Sequence, residues 1–379
     1  MNLSFNEEQA ALKDSARGFL AEHSSSERIR RAMSSDDGYD RDLWKRMASD
    51  LGWQAIVIPE EYGGLGLGPI ELVALMEEMG AALLCSPFFS SVCLAGGVLS
   101  GGGSAAQKEA FLPGIASGET LATLAHTEAN GRWGASGIET QARRSGEEYV
   151  LSGAKTFVCE GATAELLIVA AREEGSADED GVSLFLVPAA ADGVEVRKLP
   201  TLDQTRGQAE ILLRDVRVPG SNCIGEPGQG WPTLSAALDG ALIALAAEQL
   251  GGAQRCLDMT VAYAKEREQF GRPIGSFQAI KHKCADMLLR VESTRSAVYY
   301  AAAAQEEGLD EVSTLASLAK VYASEAYFHC AAESIQIHGG VGFTWEYDVH
   351  LYFKRAKSSE TFLGDPQFHR ERIAQQIRL

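Results

Sequence analysis

The sequence predicts an α+β multidomain chain: an N-terminal helical domain over 1–117, a central antiparallel β-domain over 118–225 and a C-terminal four-helix bundle over 226–379. Three observations lead there. Apolar residues recur at helical spacing through the first part, alternate with polar ones in the second, and return to helical spacing from Trp231. A length of 379 residues allows two or three domains with cores of their own. A hydrophobic content of 45% and a charged content of 23% are those of a soluble globular protein.

In the first part, Ser4 followed by Glu7 is expected to form a capping box, with Ala10, Leu12, Ala16, Phe19 and Leu20 as the apolar face. Asp40 is expected to cap a second helix carrying Leu43, Trp44, Met47 and Leu51, with Gly52 as its stop. The glycine-rich run from Pro59 to Gly68 has no strand before it and no Lys-Ser/Thr after it, so it reads as a tight connection between helices rather than a phosphate cradle. Residues 70–84 and 88–99 read as apolar helices, Gly101–Ser104 as a loop and Ala105–Ala116 as a short helix.

The second part has strand-like runs at Leu121–His126, Gly137–Arg144, Tyr149–Val158, Leu166–Ala171, Val182–Val187, Gly193–Leu199 and Ala209–Val218. Ser145-Gly146-Glu147-Glu148 is expected as a hairpin loop, Glu173–Gly181 as a solvated acidic loop, and the whole as a small barrel or sandwich. In the third part, helices are expected over 233–265, 276–307, 312–338 and about 365–378. The first is apolar nearly all round (Leu234, Leu238, Leu242, Leu245, Leu250) and belongs at the centre of the bundle.

Net charge is −18, which disfavours nucleic acid and anionic membrane surfaces as partners. An anionic small ligand would need Arg and Lys placed locally. Seven scattered cysteines without C-x-x-C spacing suggest neither disulfides nor zinc, and fit a reducing cytoplasm. No metal site is expected, and His338 reads as a packing residue. No signal peptide and no membrane span are predicted.

The stretch around which the third part is organised is Tyr263–Met287, where helical spacing breaks at Gly271-Arg272-Pro273 and restarts at Ser276, a suitable N-cap. The break presents Arg267, Phe270 and Gln278 together: a cation, an aromatic face and an amide. It resembles the R-x-x-F-G-x-x-I-x-x-F-Q signature of the acyl-CoA dehydrogenase family. The resemblance extends along essentially the whole chain and implies FAD as cofactor, an acyl-CoA thioester as substrate, and an electron-transfer flavoprotein or similar acceptor. It also implies a tetramer, either a homotetramer or an α2β2 heterotetramer with a related subunit, and a place in lipid or steroid catabolism.

Residue by residue, the resemblance assigns flavin contacts to Arg267, Phe270 and Gln278 across a subunit interface, and to Gln336, Gly339 and Gly340 in Gln336-Ile-His-Gly-Gly-Val-Gly342. Thr127 and Glu128 match the start of T-E-P-G-A-G-S, whose end has become Gly131-Arg132-Trp133. Gly153–Gly161 is similar to G-x-K-x-W-I-T-N-G, with Phe157 as the aromatic face for the flavin ring, Cys159 at the hydroxyl position and Glu160 at the amide. Counting from Ala356-Lys357, the family's catalytic Glu falls on Leu363, and its Thr neighbour on Asp365. The alternative base position, on the first bundle helix, holds Ala241 beside Leu242. Neither site carries a base. Glu248, two turns beyond Ala241, is the candidate for a relocated base, or else a buried Glu satisfied by a bundle Arg or Lys. Asp239 and Glu360 are poorer candidates by position. Three readings follow: a subunit completed by a partner, a self-sufficient homotetramer with a relocated carboxylate, or a relative of the same fold with another role.

Overall fold

The computed structural model describes residues 5–379. Helix α1 (Glu7–His23) is capped by Asn6, whose side chain accepts from the Gln9 N–H while the Gln9 side chain accepts from the Asn6 N–H. Ser4, expected in that role, lies outside the described residues. A helix without a sequence expectation, α2 (Ser26–Ser34), follows; its arginine-rich run hides a short apolar stripe through Ile29 and Ala32. Asp40 caps α3 (Arg41–Ser49), which buries Leu43, Trp44 and Met47 as expected. The glycine-rich run is a turn-rich connection that delivers the chain to α4 (Pro69–Ala81).

The helix expected over 88–99 is instead a buried π-helix over Phe89–Gly96, continued by α5 (Gly97–Gly102). Its wider turn lets helical geometry run into the glycines that were expected to be a loop. π-Helices are rare, occur mostly as single turns and are frequent at functional sites. Ser104 and Gln107 cap α6 (Ala105–Ala116) reciprocally.

The strands are β1 (Ala122–Ala125), β2 (Gln141–Ser145), β3 (Glu148–Cys159), β4 (Leu166–Arg172), β5 (Val182–Pro188), β6 (Val194–Lys198), β7 (Gln208–Pro219) and β8 (Cys223–Ile224). They form one sheet in the order β6-β7-β3-β2-β4-β5-β8, with β1 beside β4. The pairing is antiparallel, except that β1 and one residue of β2 run parallel to β4. The expected strand at Gly137 starts only at Gln141, because Ala135–Gly137 coil into a 3-10 turn. Ser145 pairs with Glu148, so the predicted hairpin is present. Alternate residues, among them Leu151, Val169, Phe185, Val187 and Ile211, fill the sheet's core.

The C-terminal part holds α7 (Trp231–Glu266), a two-stranded hairpin of β9 (Glu268–Gln269) and β10 (Arg272–Pro273), then α8 (Gln278–Glu306), α9 (Val312–His338), α10 (Val349–Thr361) and α11 (Pro366–Gln376). The four expected helices are joined by α10, which runs four residues past Lys357. Ser276 does not cap α8: it sits in a 3-10 turn over Ile274–Ser276, and Phe277 takes the N-cap without a side-chain bond. Helix α7 is long and apolar enough to cross a bilayer by length and composition, but 72% of its apolar window is buried inside the molecule. Residues 241–250 are buried without exception, as the all-round apolar pattern requires.

The chain divides into two compact units, one of residues 1–31, 68–84 and 242–379, the other of 32–67 and 85–241. In the first, α4 and α7 touch backbone to backbone. A Cβ added at Gly80 would lie 1.9 Å from the Glu248 carbonyl oxygen, and one at Gly251 would lie 1.8 Å from that of Glu77. Beside this crossing, the buried Glu77 carboxylate accepts from Lys13, Arg295 and the Tyr299 hydroxyl. Burial works to raise its pKa, and Lys13 and Arg295 more than offset it, so the net shift is downward.

Gly251→Ala is therefore expected to force the two helices apart, at a cost of about 1–3 kcal/mol or more. Thermal unfolding followed by far-ultraviolet circular dichroism should show a lower melting temperature, and an unchanged one would mean the crossing is not tight.

Candidate functional site

The second unit brings Thr127, Phe157 and Cys159 onto neighbouring segments. Lys155 is the clamp. Its side chain, with no exposed surface, reaches Glu128 at 2.5 Å and the His126 carbonyl at 3.4 Å. Glu128 in turn accepts the N–H groups of Glu139 and Thr140 at 3.0 and 2.9 Å, and the Thr127 carbonyl accepts from the Thr156 N–H at 2.9 Å. The backbone on both sides of Thr127 is thus fixed to β3 by a buried ion pair and a main-chain bond. Burial pushes the Lys155 pKa down to about 8, against the pull of Glu128.

Two residues beyond Lys155 the register of β3 against β7 shifts, and Phe157 takes φ of +53° with 52% of its surface exposed. A bulky residue in that region is strained, and such strain gathers at ligand clamps. Cys159 is buried, and its carbonyl accepts from Thr123 Oγ1 at 2.6 Å. Glu160 also has positive φ, and its carboxylate accepts the Gly207 N–H at 2.8 Å.

The residue that sequence reasoning passed over is His126. Ala125 points into the sheet core, and the next residue turns the other way. The imidazole is 7% exposed, lies beside the Trp133 indole with ring centroids 6.2 Å apart, and neither ring nitrogen has a hydrogen-bond partner. Its pKa is pushed down to about 3, first by burial and then by Lys155. The available signal was a polar residue ending an apolar strand immediately before Thr127-Glu128.

In the first unit, Arg267, Phe270 and Gln278 are exposed around the β9–β10 hairpin. The Ile274 N–H donates to the Arg267 carbonyl at 2.8 Å and closes the hairpin's base. Phe270 sits at its tip, 93% exposed and with φ of +56°, and the Arg272 guanidinium lies 4.1 Å from the Phe277 ring centroid. At the end of α9, Gln336, Gly339 and Gly340 are exposed as well. Gly339 has φ of +64°, and no atom lies within 4 Å of the place where a Cβ of either glycine would stand. His338 is buried, stacked on Tyr263 with centroids 4.3 Å apart.

The base positions are equally explicit. Leu363 is buried with φ of +59°, and its carbonyl accepts from His369 Nε2 at 2.9 Å. Ala241 and Asp239 are buried in α7. Asp365 caps α11 by accepting the Phe368 N–H at 2.8 Å. Glu360 pairs with Lys357 at 2.7 Å. Glu248, buried in α7, forms an ion pair with the buried Arg355 of α10. Lys320 closes the end of α10, donating to the Ser359 and Glu360 carbonyls at 2.9 and 3.0 Å.

The chain matches the acyl-CoA dehydrogenase N-terminal domain over residues 6–119, the middle domain over 123–216 and the C-terminal domain over 228–378. It belongs to the acyl-CoA dehydrogenase family. It is 34% identical to the acyl-CoA dehydrogenase IpdE2 of Mycolicibacterium smegmatis, over 98% of this chain and 99% of the relative. Among solved structures it resembles butyryl-CoA dehydrogenase from Megasphaera elsdenii, with 29% identity, a TM-score of 0.92 and all of both chains covered. It also resembles a chain of the ChsE4-ChsE5 complex from Mycobacterium tuberculosis, with 30% identity and a TM-score of 0.91, over 100% of this chain and 99% of that one.

Membership makes this acyl-CoA dehydrogenase chain an FAD-dependent oxidoreductase. Its residues fit a flavin: an exposed aromatic face at Phe157, an orphaned buried imidazole at His126, and open space at Gly339 and Gly340.

Two outcomes are expected. Glu248→Gln removes one charge of a buried pair, which costs about 3–5 kcal/mol; thermal unfolding should show this as a large fall in melting temperature, and an unaltered melting temperature would contradict the pairing. For His126, the folded-state pKa lies below the unfolded value of 6.5, so the unfolded chain binds the extra proton. Stability that is complete above pH 6.5 is then lost as pH falls toward 3, by about 1.4 kcal/mol per pH unit. The acid-side fall in melting temperature should be shallower in His126→Leu than in the wild type, and parallel curves would contradict the assignment.

Proposed function

We propose that this chain is a flavin-binding subunit of an acyl-CoA dehydrogenase in which the carboxylate that takes the α-proton comes from outside the chain. The observation that carries the reading is the pairing of Glu248 with Arg355. With Leu363 and Ala241 at the two usual positions, Glu248 was the foremost candidate on the bundle's central helix, ahead of Asp239, which lies about 200° round the helix from Ala241. A carboxylate held by a buried guanidinium is not available to approach within about 3 Å of a substrate proton. Complexes of two different chains exist among the structural relatives, as in ChsE4-ChsE5, which supports an α2β2 assembly over a homotetramer.

When bound, FAD supplies the hydride acceptor for α,β-dehydrogenation of the thioester. This chain's residues bind and orient. Thr127, on the loop clamped by Lys155, meets the flavin ring, and Phe157 offers it an aromatic face. Cys159, two residues further along β3, is buried, and its thiol supplies at most a weak donor. Arg267, Phe270 and Gln278 serve the adenine-diphosphate end of a flavin on a neighbouring chain, with Gln336, Gly339 and Gly340 beside them. Phe270, 93% exposed at the hairpin tip, stands where a neighbouring chain can reach it. Electrons leave to an electron-transfer flavoprotein or a similar acceptor.

Arg267→Ala should strip flavin from the purified assembly while leaving the fold intact. The measurement is visible absorbance per chain together with circular dichroism. An assembly that stays fully yellow would place the cross-subunit contact elsewhere.

A further inference from the structure

We propose that His126 is a flavin-positioning residue: its neutral imidazole hydrogen-bonds to the polar pyrimidine edge of a flavin ring seated on this chain's own 126–133 loop. The inference rests on the reading above that Thr127 meets the flavin ring.

Four observations support it. The first is that both imidazole nitrogens are buried and without partners. A buried polar group left unpaired costs about 1–3 kcal/mol, and such a group in a folded protein calls for a partner that arrives later. The second is position. His126 is bonded to Thr127, and its own carbonyl is one of the two groups that Lys155 grips. The imidazole therefore sits on a segment that cannot drift, as a group that orients a ligand must. The third is surroundings. The Trp133 indole, tilted beside it with ring centroids 6.2 Å apart, stands where the family's loop carries a small Ser. The fourth is chemistry. A neutral imidazole offers one donor and one acceptor, and the flavin's pyrimidine edge alternates carbonyl acceptors with an N–H donor. Burial keeps the ring neutral, so the nitrogen that meets that edge donates or accepts according to the tautomer.

A neutral donor at that edge acts on the flavin rather than on the substrate. It contributes to affinity for the cofactor, and because reduction places electron density on the pyrimidine, it also shifts the reduction potential. A residue that merely packed the loop would do neither.

The test uses the full-length chain in its purified assembly. FAD dissociation constants are measured by fluorescence titration of the flavin-depleted protein, and midpoint potentials by dye equilibration, for wild type, His126→Leu and His126→Gln. His126→Leu, which keeps the bulk and removes both polar atoms, is expected to weaken FAD binding about tenfold and to shift the potential. His126→Gln, which restores a donor and an acceptor, is expected to recover part of both. Equal affinity and equal potential in all three proteins would overturn the proposal while leaving Thr127 and Phe157 as ring contacts. A wild-type assembly that takes up no FAD would overturn the proposed function and this inference with it. Should His126→Leu fail to fold, His126→Gln against His126→Asn makes the comparison with polar side chains of different reach. Tighter FAD binding by the Gln variant supports the proposal, and equal binding overturns it.

Discussion

Glu248 and Arg355 form an ion pair deep in the helical bundle, on α7 and α10, and the character of the molecule follows from it. A buried charge is tolerated only with its partner, so the pair fixes the register of the two helices that carry it. Close by, Gly80 and Gly251 let α4 and α7 meet backbone to backbone, which leaves the Glu248 carbonyl pressed against Gly80. The helix that holds the pair therefore cannot rotate to redirect its carboxylate. The contacts that make the bundle rigid thus also hold the Glu248 carboxylate on Arg355.

The candidate flavin site is built in the opposite sense. Lys155 and Glu128 immobilise a short loop, and what the loop presents is unsatisfied: an imidazole without partners, and near it an exposed aromatic ring on strained backbone. The β9–β10 hairpin likewise presents Phe270 to solvent. Rigid support beneath unspent recognition groups is the arrangement of a binding element awaiting its ligand and its neighbour.

Much of the fold was legible in the sequence because its signals are periodic. The strands from Glu148 to Pro219 were foreseen within a residue or two, as were the four long C-terminal helices. Local exceptions were not. Nothing in Phe89–Gly96 distinguishes a π-helix from an α-helix, and Ser276 lost its cap when the turn closed one residue later, at Phe277. For the candidate site, motifs gave the residues but not their pairings. Glu248 and Arg355 are far apart in sequence, and only packing shows that they meet. Lys155 and Glu128 each stood inside a quoted motif, but their clamp spans two strands. His126 falls outside every motif and becomes conspicuous only once its nitrogens prove to have no partner.

The most direct test concerns the base. The chain is purified without any partner, loaded with FAD and titrated anaerobically, first with dithionite and then in separate samples with butyryl-CoA, octanoyl-CoA and a steroid side-chain CoA thioester, following the flavin's visible absorbance. If the α-proton base lies outside this chain, dithionite bleaches the flavin and none of the thioesters does. Bleaching by any thioester would mean that the chain carries a base of its own.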